Sequence, residues 1–170
     1  MKALLVIDML RDFVEPDGAL YIKGSEKIVP AVKREIERAR SEGIPVIYIC
    51  DAHAPDDEEF RAWPPHCVRG TRGAEVVPEL APVEGDVVVE KTRYSGFFRT
   101  DLERILKDKG IKTLRVTGVA TSICVLYTVA DARMRDFEVE VVKDAVWGLT
   151  EEDHNWALRQ MEHVLLARIV

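Results

Sequence analysis

Residues 114–124 of the chain read Leu114-Arg115-Val116-Thr117-Gly118-Val119-Ala120-Thr121-Ser122-Ile123-Cys124. The first four residues form a short β-branched and apolar run, which predicts a buried strand over 114–117. This apolar run ends at Thr117, and residues 122–135 are predicted to form a helix. Residues 139–142 form another short apolar run, which predicts the next strand. A strand, a helix and a strand in this order favour parallel pairing of the two strands in one sheet.

The same alternation extends over the rest of the chain. Further strands are predicted over residues 3–7, 46–49, 87–89 and 165–169, and further helices over 28–40, about 100–109 and 151–161. Gly43 and Pro45 end the first of these helices, and Thr100 with Glu103 predicts a capping box for the second. Residues 51–85 are rich in Pro, Gly and His, and a loop of that length is usually functional. The pattern predicts an α/β fold with helices on both faces of a parallel sheet.

The composition is that of an ordinary globular protein. The chain has 170 residues, of which 47% are hydrophobic and 32% charged, and this length fits a single domain over residues 1–170. A net charge of −6 argues against nucleic acid or an anionic membrane as a partner. Cys50, Cys67 and Cys124 are too irregularly spaced for a disulfide framework. Asp8 interrupts the N-terminal apolar run, which is too short to span a membrane, so we expect a cytoplasmic protein.

Four reactive side chains fall at the ends of predicted strands. Asp8 follows the first strand, Asp51 the second and Lys91 the third, while Cys124 begins the helix after the fourth. Ligands of open α/β sheets bind at the carboxyl ends of the strands, so we expect these residues to share one edge. Asp8, Lys91 and Cys124 together supply a proton acceptor, a cation and a nucleophile, which covalent acyl transfer requires.

Cys124 is the candidate nucleophile. The N-terminus of a helix and a nearby lysine both stabilise a thiolate, and the free N–H groups there can hold an oxyanion. Each residue also has a simpler interpretation. Cys124 could be a small buried apolar residue, Asp8 a cap at a strand end and Lys91 a solvated charge.

The loop 51–85 contains a candidate metal site. Asp51, His53 and His66 offer a carboxylate and two imidazoles, which suit Zn²⁺, Fe²⁺ or Mn²⁺. The alternative is that both histidines form hydrogen bonds within the loop.

Three aromatic residues are close in sequence to these groups. Phe13, Trp63 and Tyr94 could form the walls of a pocket for a flat substrate, or could simply pack the loops. The two remaining histidines lie far from these groups in the sequence. We expect His154 on a solvated helix face and His163 at a strand edge.

Six segments of the sequence resemble the isochorismatase-like cysteine hydrolases, and within them the archaeal-type nicotinamidases (pyrazinamidases). They are Ile7-Asp8-Met9-Leu10-Arg11-Asp12-Phe13, Asp51-Ala52-His53, Trp63-Pro64-Pro65-His66-Cys67, Gly70-Thr71-Arg72-Gly73-Ala74-Glu75, Glu90-Lys91-Thr92-Arg93-Tyr94-Ser95-Gly96-Phe97 and Thr117-Gly118-Val119-Ala120-Thr121-Ser122-Ile123-Cys124. The resemblance implies a three-layer α/β/α sandwich with a Rossmann-like, six-stranded parallel sheet.

The resemblance also implies roles for individual residues. Asp8, Lys91 and Cys124 would be the catalytic triad, and the N–H groups of Ala120 and Cys124 the oxyanion hole. The peptide bond Val119–Ala120 would be cis. The residues expected to contact the substrate are Phe13, Trp63, Tyr94 and Val119. Asp51, His53 and His66 would bind the metal that holds the pyridine nitrogen of nicotinamide.

The activity that the resemblance implies is hydrolysis of a small-molecule amide, with nicotinamide giving nicotinate and ammonia. A divalent metal, zinc first and iron or manganese next, would be the cofactor, and relatives are commonly homo-oligomers. Leu10-Arg11 replaces the Gln-Asn or Gln-Lys that many family members carry after the first aspartate. Only Thr92-Arg93 separates Lys91 from Tyr94, a short form shared with N-carbamoylsarcosine and ureidoacrylate amidohydrolases, which are the alternative.

Two other functional classes are compatible with part of the sequence. A carboxylate and two histidines can form the facial triad of a non-haem iron oxygenase, although this leaves Asp8, Lys91 and Cys124 unexplained. The chain could also be an inactive small-molecule binder, which the intact set of three reactive residues argues against.

Overall fold

The computed structural model describes all 170 residues and is built around one six-stranded parallel sheet, in the order β3-β2-β1-β4-β5-β6. The strands are β1 (Lys2–Ile7), β2 (Val46–Asp51), β3 (Val87–Lys91), β4 (Thr113–Val119), β5 (Glu138–Trp147) and β6 (Arg168–Ile169). Every neighbouring pair is parallel, so each connection crosses over a face of the sheet. This confirms the predicted fold class.

Five α-helices provide most of the crossovers. They are α1 (Arg11–Val14), α2 (Val29–Ser41), α3 (Leu102–Asp108), α4 (Leu126–Arg133) and α5 (Glu151–His163). A π-helical turn, Thr121–Val125, precedes α4. None of the helices combines the length and hydrophobicity that crossing a bilayer requires.

Two apolar cores lie on opposite faces of the sheet. Successive side chains of a strand point to opposite faces, and in β1 Leu5 and Ile7 belong to one core while Leu4 and Val6 belong to the other. Helix α2 packs on the second face, whereas α3, α4 and α5 pack on the first. The molecule is therefore the three-layer sandwich that the sequence predicted.

The strand order creates a crevice at the carboxyl edge of the sheet, between β1 and β4. The chain moves outward from β1 to β3 and then returns to place β4 on the other side of β1. The loops after β1 and β4 diverge at this point, and ligands of open α/β sheets bind in such a crevice.

The predicted capping box at α3 is wrong. The Thr100 hydroxyl donates to the carbonyl of Gly96 and accepts from the Leu102 N–H at 3.3 Å, but the Glu103 carboxylate binds Lys107 and Arg135 instead of reaching back to the start of the helix. The reciprocal half of the box is missing, because Glu103 is paired with these two cations.

Two strand predictions need correction in length. Strand β5 continues five residues beyond the predicted end, since a register shift against β4 accommodates the exposed Lys143 and Asp144. Strand β6 is confined to Arg168–Ile169, because Leu166 has a left-handed backbone conformation with φ of 54°.

Candidate active site

The three predicted catalytic residues meet at the carboxyl edge of the sheet. Asp8 follows β1, Lys91 ends β3 and Cys124 lies in the turn after β4. Lys91 Nζ is 2.9 Å from Asp8 Oδ2 and 3.5 Å from Cys124 Sγ. Asp8 and Lys91 are each 1% exposed and Cys124 is 7% exposed. Lys91 is therefore a buried counterion, and the interpretation as a solvated charge is wrong.

Asp51 connects this group to the histidines. Its Oδ1 accepts a hydrogen bond from Lys91 Nζ, and its backbone N–H donates to Asp8 Oδ1 at 2.8 Å. Its Oδ2 faces the histidines, 3.3 Å from His53 Nε2. The other oxygen of the Asp8 carboxylate, Oδ2, is buried beside the Lys91 ammonium, and polar atoms of Asp8, Asp51 and Cys124 lie within 4.8 Å of one another. The Asp8 carboxylate is therefore within reach of both the lysine and the thiol.

Burial and one shared cation set the charges of these groups. Burial and the negative charge of Asp51 raise the pKa of Asp8 to about 6, against the effect of Lys91. Burial disfavours the charge of Asp51, but Lys91 outweighs it and holds that pKa well below its usual range. Lys91 stays protonated, because its two carboxylate partners outweigh burial and raise its pKa.

The Cys124 thiol is neutral in the resting protein. Burial raises its pKa well above the usual range, although Lys91 has the opposite effect. The helix N-terminus and the lysine were expected to stabilise a thiolate, and desolvation overcomes both. The thiol must therefore lose its proton to a neighbouring base when it reacts, and Asp8 is the neighbour of intermediate pKa.

The turn after β4 depends on Gly118. Its φ is +117°, and a Cβ atom there would lie 2.0 Å from the carbonyl oxygen of Ile7 on β1. The peptide bond Val119–Ala120 is cis, as the resemblance implied. The N–H of Ala120 donates to no acceptor of the protein, so it is available to a ligand. The structure gives no such test for the N–H of Cys124, whose place in the oxyanion hole stays a prediction.

A narrow cavity opens above Cys124. The four residues predicted to contact the substrate all line it, namely Phe13, Trp63, Tyr94 and Val119. Trp63 Nε1 donates to the Tyr94 hydroxyl at 3.1 Å, which joins two of the aromatic walls. No lysine or arginine lines the cavity, and its charged side chains are Asp8, Asp51 and Glu59 together with His66.

Four potential metal ligands converge at one end of this cavity. Three are the predicted Asp51, His53 and His66, and the fourth is Glu59, which the sequence reasoning missed. Their ligand atoms all lie within 4.8 Å of one another. Glu59 Oε2 is 3.1 Å from His53 Nε2 and 3.6 Å from His66 Nε2.

Hydrogen bonds on the far side of each ring orient both imidazoles. His53 Nδ1 is 3.1 Å from Asp57 Oδ2, and His66 Nδ1 is 2.7 Å from the carbonyl oxygen of Pro64. When each Nδ1 donates, each Nε2 presents a lone pair to the space between Asp51 and Glu59. This is the arrangement by which outer partners fix the tautomer of metal-binding histidines.

The residues fit a divalent metal. His53 Nε2 lies between the carboxylates of Asp51 and Glu59, and Glu59 Oε1 is a buried atom without a hydrogen-bond partner, which is costly unless something else binds it. Burial opposes the imidazolium, but hydrogen bonds to Asp51 and Glu59 raise the pKa of His53 to about 10 and of His66 to about 9. Two carboxylates and two imidazoles suit zinc, iron or manganese.

Backbone pairing folds the long loop so that these ligands meet. The His53 N–H donates to Cys67 O at 2.9 Å, and the Arg69 N–H donates to His53 O at 2.8 Å. This pairing places His66 beside His53, with ring centroids 4.8 Å apart. Asp12 holds the same segment from α1, because its Oδ2 accepts from the Cys67 N–H at 2.8 Å.

Sequence comparison identifies the family. The model of the family described as Isochorismatase domain matches residues 2–169. The chain belongs to the isochorismatase family.

Solved isochorismatase-family structures with different activities are similar to this chain. The pyrazinamidase of Pyrococcus horikoshii in complex with zinc is 38% identical, with a TM-score of 0.95 over 99% of this chain and 98% of that one. N-carbamoylsarcosine amidase of Thermoplasma acidophilum is 40% identical, with a TM-score of 0.92 over 99% of this chain and 94% of that one. Among curated proteins, a probable inactive nicotinamidase of Arabidopsis thaliana is 36% identical over 95% of this chain and 88% of its own length. The isochorismatase-family relatives of this chain thus include amidases with different substrates.

Four residues outside the isochorismatase-family site complete the comparison with the sequence. Cys50 and Cys67 are buried in the apolar core, and burial raises the pKa of both thiols. His163 lies on α5 with an exposed side chain, so the prediction of a strand edge is wrong. His154 is half-buried on α5, and its Nδ1 is 2.7 Å from the Thr121 hydroxyl, so the prediction of a solvated face is also wrong.

Proposed function

We propose that the chain is an amidohydrolase that uses Cys124 as its nucleophile and takes a neutral, flat carboxamide, with nicotinamide as the preferred candidate. The observation that carries the proposal is the cavity, which extends from Cys124 to the side chains of Glu59 and His66 between aromatic walls. An aromatic ring placed between these walls could present its amide to the thiol.

The first chemical step is proton transfer from the thiol. The Asp8 carboxylate lies close to the thiol, and a pKa of about 6 leaves Asp8 mostly ionised at neutral pH. A base of this strength accepts the thiol proton as sulfur attacks and can return it later. Lys91 stabilises the negative charge that passes from Asp8 to the sulfur.

The remaining steps follow acyl transfer. The sulfur forms a bond to the amide carbon, and the carbonyl electron pair moves to the oxygen, to which the N–H groups of Ala120 and Cys124 donate. The carbon–nitrogen bond then breaks, and Asp8 gives its proton to the leaving nitrogen, which departs as ammonia. Water attacks the thioester carbon while Asp8 accepts its proton; the carbon–sulfur bond then breaks, the acid product leaves, and Asp8 returns the proton to the Cys124 sulfur.

A divalent metal is proposed as the cofactor, held by Asp51, His53, Glu59 and His66. When bound, it would provide a Lewis-acid contact that fixes the ring nitrogen of the substrate. The protein residues alone orient the amide. Phe13 and Trp63 enclose the ring, and Val119 and Ala120 line the cavity beside Cys124.

The rival substrates are those of the N-carbamoylsarcosine and ureidoacrylate amidases, which the sequence similarity and the short spacing from Lys91 to Tyr94 support. Both of those substrates carry a carboxylate. The cavity has no lining lysine or arginine to neutralise it, and three lining side chains are themselves acids. The cationic partners left for an anion are His66 and the proposed metal, and Asp51 and Glu59 already face both of them, which favours the neutral substrate.

The test is ammonia release from nicotinamide, N-carbamoylsarcosine and ureidoacrylate by the purified protein. Each substrate is offered to metal-stripped protein and to protein reloaded with Zn²⁺, Fe²⁺ or Mn²⁺, with Cys124→Ala as the control. We expect release from nicotinamide that requires metal and Cys124. Release only from the carboxylate substrates would overturn the substrate proposal, and full activity of Cys124→Ala would overturn the nucleophile.

The same preparation separates the remaining classes. An oxygenase would consume oxygen with a co-substrate, and an inactive binder would leave Cys124 unreactive toward alkylating agents. The expected homo-oligomer stays a prediction, which sedimentation velocity of the full chain tests.

A further inference from the structure

The start of the turn that carries Cys124 is bonded to another helix. Thr121 directly follows Ala120 and is completely buried. Its hydroxyl makes one hydrogen bond, at 2.7 Å, to Nδ1 of His154 on α5. A hydrogen bond between distant elements at this point constrains the residue next to Ala120, whose N–H has no acceptor within the protein.

The first turn of α5 is itself held in place. The Thr150 hydroxyl caps the helix by accepting from the Asp153 N–H at 3.0 Å. Gly148 lets the chain pass close to His154, because a Cβ atom there would lie 2.9 Å from the His154 Cβ. Leu149, between Gly148 and Thr150 in the chain, lines the cavity above Cys124. His154 therefore lies on a capped helical turn whose position at the edge of the site is constrained.

We propose that His154 is a positioning residue, which acts through the Thr121 hydroxyl to hold the Ala120 N–H toward the oxygen that becomes negative during the reaction. It touches neither the substrate nor the reacting atoms. The proposal rests on the proposed covalent chemistry of Cys124, although not on nicotinamide as the substrate. Donors fixed in advance stabilise the transition state, because they need no reorganisation as charge develops.

Loss of this hydrogen bond should affect the transition state more than substrate binding. The ground-state carbonyl has little negative charge, so KM should stay within about twofold of the wild type while kcat falls by about tenfold. His154→Ala removes the imidazole. Thr121→Val removes the hydroxyl at nearly the same volume, and Thr121→Ser keeps the hydroxyl as the matched control. His163→Ala is the control for an exposed histidine on the same helix.

Two reactions of Cys124 separate positioning from a general structural role. Pyridine-3-carbaldehyde adds to the thiol: a carbon–sulfur bond forms, the carbonyl electron pair moves to oxygen, and the thiol proton passes to Asp8. The resulting oxyanion needs the Ala120 N–H. Iodoacetamide alkylates the sulfur and releases iodide, and no oxyanion forms. Both are measured on the full-length protein, by equilibrium dissociation constant and by alkylation rate.

We expect His154→Ala and Thr121→Val each to weaken aldehyde binding about tenfold while the alkylation rate stays within about twofold. The double variant should be no worse than either single one, because both remove the same hydrogen bond. Thr121→Ser and His163→Ala should match the wild type. Unchanged aldehyde binding in Thr121→Val would overturn the proposal, and so would equal losses in binding and alkylation. A wild type that binds the aldehyde without hydrolysing nicotinamide would contradict only the proposed function.

Discussion

Asp8 and Asp51 are two carboxylates on one lysine, and their environments separate them. Asp51 accepts a hydrogen bond from Lys91 and faces two histidines, which hold its pKa low. Asp8 is buried beside that negative charge, and its pKa is raised to about 6. Neighbouring acids whose pKa values are pushed apart in this way take different roles. Asp8 is the one suited to exchange a proton, and Asp51 the one suited to stay charged.

This assignment predicts an acid limb in the pH profile. Protonation of Asp8 removes the acceptor for the thiol proton, so kcat/KM should fall as the pH drops through about 6, approaching tenfold per pH unit below it. The measurement is kcat/KM from pH 4.5 to 8 with metal content and circular dichroism followed at each point. A profile that stays flat down to pH 4.5 in folded, metal-loaded protein would contradict Asp8 as the base.

The sequence predicted individual site residues only where they directly follow a strand, because the sheet then determines where they lie. Asp8, Lys91 and Cys124 each follow a recognisable strand, and strand ends converge on one edge whatever the loops do. Glu59 lies in a loop without periodicity, and no spacing relative to Asp51 or His53 indicates its direction. Its position depends on a 3-10 turn, Glu58–Arg61, whose start is capped by the Asp57 carboxylate accepting from the Glu59 N–H at 2.9 Å.

At the scale of elements, the contact between β1 and β4 predicts a sharp difference between two glycines. Gly118→Ala would place a methyl group 2.0 Å from the carbonyl oxygen of Ile7, whereas a Cβ atom at Gly43 meets nothing within 4 Å. Both have positive φ, which alone costs about 1 kcal/mol or somewhat more. Gly43→Ala should therefore lower the free energy of unfolding by about that amount, and Gly118→Ala by at least about 3 kcal/mol. Urea unfolding measures both, and equal losses would show that the steric contact is relieved at little cost.

Asp12 links α1 to the loop that carries the metal ligands, and this predicts an effect on metal affinity. Its carboxylate accepts from the Cys67 N–H at 2.8 Å and from the Ala19 N–H at 3.0 Å. Asp12→Ala should loosen the segment next to His66 and weaken zinc binding by roughly tenfold to a hundredfold. The exposed Asp17→Ala is the matched control and should not change the affinity. Competition with a chromophoric chelator measures both, and equal affinities would exclude this role for Asp12.

The sequence predicted best those elements whose hydrophobic pattern follows directly from burial in the sheet. Strand β1 is buried on both faces, so its apolar run has one interpretation. Details that depend on tertiary partners were missed, such as the capping of α3, where Glu103 binds Arg135 instead of the cap. The exposed Lys143 and Asp144 interrupted the pattern of β5, although the sheet accommodates them with a register shift.

At the scale of the whole molecule, the site collects residues from four strands and one long loop. Asp8, Asp51, Lys91 and Cys124 are up to 116 positions apart in the chain, since Asp8 and Cys124 come from opposite sides of the crossover between β3 and β4. None of these residues forms a site before the sheet is complete. The burial that shifts the pKa values of Asp8 and Cys124 is likewise a property of the folded sandwich, so the chemistry and the fold are acquired together.

The metal cluster predicts that zinc binding depends steeply on pH. In the metal-free protein the pKa of His53 is raised to about 10 and that of His66 to about 9, so both rings are protonated at pH 7. A metal binds only the neutral imidazole, so binding at pH 7 should release close to two protons. The apparent affinity should then rise up to about a hundredfold per pH unit between pH 6 and 8.

Isothermal titration calorimetry in buffers with different ionisation enthalpies measures the released protons, and chelator competition at each pH measures the affinity. His163→Ala, on the exposed end of α5, should leave both values unchanged. Because zinc binds the folded site, an excess of 100 times the dissociation constant should stabilise the protein by about 2.7 kcal/mol. The midpoint of thermal unfolding should therefore rise more at pH 8 than at pH 6 for the same free zinc concentration. An affinity independent of pH would mean that the metal meets rings that are already neutral, and the ion pairs of His53 and His66 with Asp51 and Glu59 would then not describe the metal-free state.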